Sequence, residues 1–219
     1  MTITPHPEPR PPTGALRLAC ARSTTPPDGT AAYVQATAAH CPYLSPSIAR
    51  GLTSWTTYTT TPGATTTEIE AAVFAAAVHA AEVVRSLAVR PRGHLTCENI
   101  AVLDAGRSAV DWPHWALKHL YAPAGLMVGK FWAGEVDTGR DGRPLPVPPI
   151  TFLSLRPAVR SRDPGFLDNT PGLAHIVATV HDRGQDVLAP VTGLPTSMAT
   201  ALSSWPTVKA WATEQKDPT

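Results

Sequence analysis

The chain has 219 residues, of which 16% are charged and 24 are proline, and its formal net charge at pH 7 is +1. A charge so close to zero gives no electrostatic basis for binding nucleic acid or an anionic membrane, so neither is expected as a partner. The sequence also shows no apolar run of about 18 residues, the length that a membrane-spanning helix needs.

The cysteines Cys20, Cys41 and Cys97 are widely spaced. An odd number without CxxC spacing argues against a disulfide framework and against structural zinc, and it predicts a reducing compartment, the cytoplasm. The proline-rich stretch 1–14 is expected to be a flexible arm, and residues 15–219 are expected to form a single domain.

The first part of the domain predicts short elements joined by turns. Cys41 precedes Pro42, and a residue before proline disfavours helix, so Cys41 is expected on extended or turn backbone. We expect a strand at 15–19, a helix at 31–39, a helical turn at 45–50 capped by Ser45, and a strand at 52–61 with one face partly wet.

The clearest helix pattern begins at Thr67-Glu-Ile-Glu70. This is a capping box, in which the Thr67 hydroxyl and the Glu70 carboxylate satisfy free N–H groups of the first turn. An apolar face then continues at helical spacing as far as Leu87. His79 falls at the edge of that face, as a boundary histidine does.

The second half predicts the centre of a sheet. The apolar run 100–103 indicates a strand covered on both faces. Asp111 is expected to cap a helix that runs through Tyr121, with Pro113 in its first turn. The further predictions are antiparallel strands at 126–132 and 150–155, a loop at 134–149 between them, and helices at 170–180 and 203–214.

These elements predict an α+β fold. We expect an antiparallel or mixed central sheet of four to six strands, with the helices 67–87 and 112–121 packed on it, in a single domain. The Gly- and Pro-rich loop 134–149 is expected to fold over a pocket and to be either disordered or ordered by a ligand.

Two groups of residues are candidates for a site, and each has a structural alternative. Cys41 is typical of a small buried hydrophobe, and the alternative is a reactive thiol or soft ligand beside His40. The segment 112–121 is rich in Trp and His, which either line a site or belong to an aromatic helix seated on the sheet.

A third group follows the last predicted strand. Arg156, Arg160 and Arg162 are interleaved with Asp163. They form either a solvated rim or a carboxylate-binding cluster, so Arg156 and Arg160 are the candidates for substrate binding. No catalytic residue can be assigned from the pattern.

Several short motifs follow one another in a recognisable order. They are Cys41-Pro-Tyr43, Leu117-Lys118, Gly125-Leu-Met-Val-Gly-Lys-Phe131, the strand 149–156, and Asp163 followed by Phe166-Leu167. Their order resembles an uncharacterised bacterial family that carries Cys-Pro-Phe near its start and a Gly-Leu-Met-Ile-Gly-Glu-Phe strand. That family is distantly similar to the YqcI/YcgG group, some of whose members are haem-dependent N-oxygenases. The resemblance covers residues 40–170, but this chain has Pro157 where the family often has a histidine.

The resemblance implies a haem-dependent oxygenase-type enzyme of bacterial specialised metabolism, acting on a small amine or amino acid. It makes His114 the first candidate for the iron ligand, since this residue aligns with a histidine of the family. His119 and Cys41 are the next candidates, and Trp115 and Tyr121 would line the porphyrin.

The alternative function is a cofactor-free small-molecule-binding or accessory protein, whose pocket would lie between the 67–87 helix and the sheet. The near-neutral charge and the Trp content are compatible with a homodimer.

Overall fold

The computed structural model of the protein describes residues 14–139, 142–194 and 204–216. The predicted arm 1–14 therefore lies outside the described residues except for Gly14. Strands within these ranges are β1 Leu16–Ser23, β2 Thr53–Thr60, β3 Cys97–Val102, β4 Leu126–Phe131 and β5 Thr151–Pro157. Helices are α1 Ala31–His40, α2 Leu44–Ala49, α3 Thr66–Ala88, α4 Ser108–Tyr121, α5 Pro171–Thr179 and α6 Trp205–Glu214.

The described strands form one mixed sheet in the order β1-β2-β3-β5-β4. Only β2 and β3 are parallel, and α3 provides the crossover between them. The other neighbours are antiparallel, including the predicted pair β4 and β5. The α+β prediction with a mixed sheet in a single domain is confirmed.

Side chains of the central strands point alternately to the two faces of the sheet, and helices cover both faces. Ile100 and Val102 of β3 belong to a large core with α3 and α4, while Ala101 between them packs with α1. The same alternation on β5 sends Leu153 to the α3–α4 face and Phe152 to the α1 face. All six residues of β3 are buried, which confirms the predicted central strand.

Helix α3 starts with a capping box, but two residues before the predicted one. Thr65 is the N-cap: its hydroxyl accepts from the Glu68 N–H at 3.3 Å, and its own N–H donates to the Glu68 carboxylate at 2.8 Å. The spacing Thr-x-x-Glu occurs twice in a row, so the local pattern was ambiguous. Glu70, expected in the box, is instead buried and accepts hydrogen bonds from α6.

Three further expectations were wrong in detail. Asp111 does not cap α4, because that helix starts at Ser108 and encloses Pro113. Ser45 does not cap α2, which starts at Leu44. Strand β2 was expected to have a partly wet face, but its first six residues are buried because helices cover both sides.

The loop prediction for 134–149 is confirmed in the described part of that segment. It contains one isolated bridge, between Thr138 and Pro144, and no strand. Residues 140 and 141 lie outside the described ranges.

Helix α3 is long and apolar enough to cross a membrane by length and composition alone. In this domain it is a core helix instead. Its alanine-rich face contacts the sheet and α4, and more than half of its most apolar window is buried.

Candidate functional site

An apolar cavity lies on the face of the sheet that α1 and α2 cover, opposite α3 and α4. It is called the main cavity because the aromatic side chains Trp55, Phe131 and Phe152 line it. It has a volume of about 230 Å³. Its walls come from α1, from the α1–α2 link, from β2 to β5, and from the turn 93–95 that leads into β3. A pocket was predicted between the 67–87 helix and the sheet, which is the opposite face. The 134–149 loop was expected to fold over the pocket, but none of its described residues lines this cavity.

One wall of this cavity is aromatic. Phe131 and Phe152 stack at 4.7 Å between ring centroids, with 19° between their planes. Trp55 packs against Phe152 at 5.2 Å, and Tyr33 meets the same ring edge-on at 6.1 Å. The strand residues Trp55, Phe131 and Phe152 share the α1 face, so side chains distant in sequence form one aromatic wall of the cavity.

Arg156 lies at the polar end of the cavity and is held in a fixed position. Its Nη1 and Nη2 donate to the two carboxylate oxygens of Asp163 at 2.7 and 2.8 Å, and Nη1 also donates to the Pro157 carbonyl. Asp163 is only 1% exposed and accepts a further bond from the Val159 N–H at 2.6 Å. These contacts within the described residues use three of the five guanidinium N–H groups.

Next to Arg156 lies a small polar group at the start of β3. The Cys97 Sγ is 3.3 Å from the Ser154 Oγ, and burial raises the pKa of the Cys97 thiol, which keeps it protonated. Thr96 is 1% exposed, and its buried hydroxyl has no hydrogen-bond partner among the described residues.

Cys41 also lines the cavity, on the extended backbone that its position before Pro42 predicted. It is half-buried and faces the same space as Cys97 and Arg156. The described residues bring together no group of three or more His, Cys, Asp or Glu that could hold a metal ion.

The predicted haem residues on α4 lie elsewhere. His114 Nε2 is 3.0 Å from the Val128 carbonyl of β4, and because a carbonyl only accepts, Nε2 carries the proton. Burial, followed by the charges of Lys130 and Lys118, lowers the pKa of His114 to about 3, so the ring is neutral at pH 7. Its observed role is to fasten α4 to the edge of the sheet.

The aromatic neighbours of His114 also make helix contacts. Trp115 donates its indole N–H to the Ala212 carbonyl of α6 at 2.8 Å, and the His119 ring lies 4.6 Å from the Trp115 ring. Burial lowers the pKa of His119 to about 4. Tyr121 donates to a Glu82 oxygen of α3 at 2.9 Å. These residues join α4 to α3 and α6.

The two histidines predicted as haem ligands, His114 and His119, line neither of the two cavities. A haem ligand needs an open coordinating atom beside a wide apolar cavity. His114 Nε2 is already bonded to the Val128 carbonyl, whereas the buried His119 Nε2 has no hydrogen-bond partner among the described residues. Cys41 does border a cavity, but its 230 Å³ is below the roughly 300–1,000 Å³ of sites for drug-sized ligands. Haem binding therefore stays a prediction.

The two arginines predicted to bind substrate are separated. Arg156 lines the main cavity, whereas Arg160 lines a second cavity of about 270 Å³ beside α5. There Arg160 Nη2 donates to His181 Nδ1 at 2.6 Å. Arg85, which borders the same cavity, is paired with Glu82 and Asp182.

Sequence reasoning missed the aromatic wall and Thr96. Trp55 and Phe152 sat in predicted strands, but nothing local showed that they share a face. Thr96 follows a helix stop signal and looked like an ordinary loop residue.

Comparison with known proteins gives one family. A family model described as a domain of unknown function (DUF6875) matches residues 36–184. No curated protein and no solved structure matches the chain. The matched region includes Cys41, Trp55, Thr96, Phe152 and Arg156 of the main cavity, but not Tyr33.

Proposed function

This chain belongs to the family of domains of unknown function DUF6875, and from that premise we propose that it binds a small organic molecule with a flat apolar body in the cavity beneath α1 and α2. The observation that carries the proposal is the aromatic wall of Trp55, Phe131 and Phe152 in a cavity that ends in a fixed guanidinium. Apolar cavities with a few converging polar groups are the usual form of ligand sites.

The cavity volume sets the size of the ligand. About 230 Å³ accommodates a single ring or a small bicyclic system with a short substituent. Packing of such a ring against the aromatic wall would remove apolar surface of the ligand and of Phe131, Phe152 and Trp55 from water, which is the main source of binding free energy here.

The test is a screen of small aromatic compounds by ligand-observed NMR and thermal shift. Ser154→Leu places a larger side chain in the main cavity, and Ala158→Leu, four residues further along the chain, does the same in the second cavity. We expect compounds that bind the wild type and Ala158→Leu but not Ser154→Leu. The proposal fails if no compound binds, or if binding survives in Ser154→Leu.

Haem-dependent oxygenation, which the resemblance implied, is a second proposal. The observation in its favour is that Cys41 lines the same cavity as the aromatic wall. Its test is a hemin titration followed by desalting. A Soret band that persists in the wild type and is lost in Cys41→Ala would support it, and a colourless wild-type protein would remove it.

The compartment and the assembly are proposals as well. Cys20, Cys41 and Cys97 are all free, which supports the reducing cytoplasm as the location. Light scattering of the purified protein checks the proposed homodimer.

A further inference from the structure

The polar end of the main cavity contains an unsatisfied donor. The Thr96 hydroxyl is buried without a partner among the described residues, and the residue is 1% exposed. Buried polar groups are nearly always hydrogen-bonded, so the hydroxyl of a residue that lines a cavity is a candidate for a hydrogen bond with a ligand atom.

Arg156 supplies further donors at the same end. The register pairs Glu98 of β3 with Leu155 of β5, which places Arg156 beside Cys97. Thr96 is the residue before Cys97 in the chain. Two guanidinium N–H groups have no protein acceptor in the described ranges. The guanidinium cannot turn away, because Asp163 and the Pro157 carbonyl hold it.

The free N–H donors at this end favour an anionic acceptor, because hydrogen bonds to an ionised acceptor are stronger than those to a neutral one. None of the described residues that line the cavity is an Asp or a Glu, and the nearby Cys97 thiol is neutral. Asp163 already balances part of the Arg156 charge from behind. A cationic amine would face the guanidinium, and an entirely apolar ligand would leave Thr96 unsatisfied.

We propose that the ligand is a small aromatic carboxylic acid. Its carboxylate accepts from the free N–H groups of Arg156 and from the Thr96 hydroxyl, and its ring lies on the wall formed by Phe152, Phe131 and Trp55. This inference rests on the proposed function, since it specifies the ligand of the same cavity.

The experiment compares acids with neutral and cationic analogues. Dissociation constants are measured by titration calorimetry for benzoate, phenylacetate and 3-phenylpropionate, for the amide of each, and for phenethylamine. For the wild type we expect the best acid to bind about tenfold or more tighter than its amide, because charge-assisted hydrogen bonds are roughly twice as strong as neutral ones.

Thr96→Val and Thr96→Ser separate a ligand contact from a structural role. Valine has nearly the shape of threonine without the hydroxyl, so Thr96→Val should weaken binding of the acid about fivefold or more while raising the melting temperature of the free protein. Thr96→Ser should retain acid binding. Arg156→Lys keeps a cation opposite Asp163 and should reduce the preference for acid over amide.

The outcomes distinguish this inference from the function it rests on. If amides or phenethylamine bind as tightly as the acids, or if Thr96→Val leaves acid binding unchanged, the carboxylate inference is wrong and the cavity still binds ligands. If no aromatic compound binds the wild type, both are wrong. Should Arg156→Lys fail to fold, the two Thr96 variants still decide the matter.

Discussion

His114 should make the domain sensitive to acid, and His114→Gln should remove that sensitivity. The histidine is neutral and donates from Nε2 to the Val128 carbonyl. Glutamine can donate the same hydrogen bond from its amide but cannot be protonated in this range. The two proteins therefore differ in charge only when the pH falls low enough to protonate an unfolded histidine.

The sign and size follow from the lowered pKa of His114. An unfolded chain protonates this histidine below its ordinary pKa of 6.5, whereas the folded chain does so only near pH 3. Stability is therefore complete above pH 6.5 and is lost as the pH falls from 6.5 towards 3. The loss is about 1.4 kcal/mol for each pH unit, or about 3 kcal/mol at pH 4. His114 as a whole residue is partly exposed, so solvent screening reduces this to about 2 kcal/mol.

Urea unfolding at pH 7, 6, 5 and 4 measures the difference. The free energy of unfolding of the wild type should fall by about 2 kcal/mol more than that of His114→Gln between pH 7 and pH 4. A difference in the free energy of unfolding that is the same at every pH would report only the packing that His114→Gln loses. His175→Gln, at an exposed position on α5, is the matched control and should follow the wild type. Parallel curves for the wild type and His114→Gln would refute the reasoning.

Three further predictions concern the framework around the site, each measured by urea unfolding. Thr65→Ala removes the N-cap of α3 and should lower the free energy of unfolding by about 1 kcal/mol. Thr67→Ala, at an exposed position, should lower it by less than about 0.5 kcal/mol. A larger loss for Thr67→Ala than for Thr65→Ala would indicate the capping box predicted from the sequence. Gly93→Ala places a Cβ 2.0 Å from the Leu87 carbonyl oxygen and should cost about 3 kcal/mol. Gly106→Ala meets no atom within 4 Å, so an equal loss there would contradict the close approach. Glu70→Ala leaves the Trp205 indole N–H and Lys209 without their acceptor. It should lower the free energy of unfolding by about 2 kcal/mol and expose α6 to proteolysis. An unchanged digestion rate would show that other contacts hold α6.

Local pattern was enough for the elements and their type. The alternation of Ile100, Ala101 and Val102 and the helical spacing from Ile69 to Leu87 are burial patterns that each segment carries within itself. Helix starts were less certain, because Thr65-x-x-Glu68 and Thr67-x-x-Glu70 are equivalent as local signals. Only the docking of α6, which takes Glu70 as its acceptor, distinguishes them.

The candidate site was only partly visible in the sequence. Arg156 and Cys41 were singled out, and both line the main cavity. His114 was chosen for its aromatic surroundings, but those rings pack against α3, β4 and α6, where an aromatic helix reaches its neighbours. Composition indicated aromatic contacts without indicating whether their partner is protein or ligand.

The sequence by itself determined an α+β domain with a buried central strand, a long core helix and an antiparallel pair at its end. Only the tertiary structure decided that β5 lies between β3 and β4, and that the cavity opens beneath α1 and α2. The reason is physical: periodicity records which side of each segment is buried, but the cavity arises where side chains more than one hundred residues apart, such as Tyr33 and Phe152, meet across strand pairings that no local signal specifies.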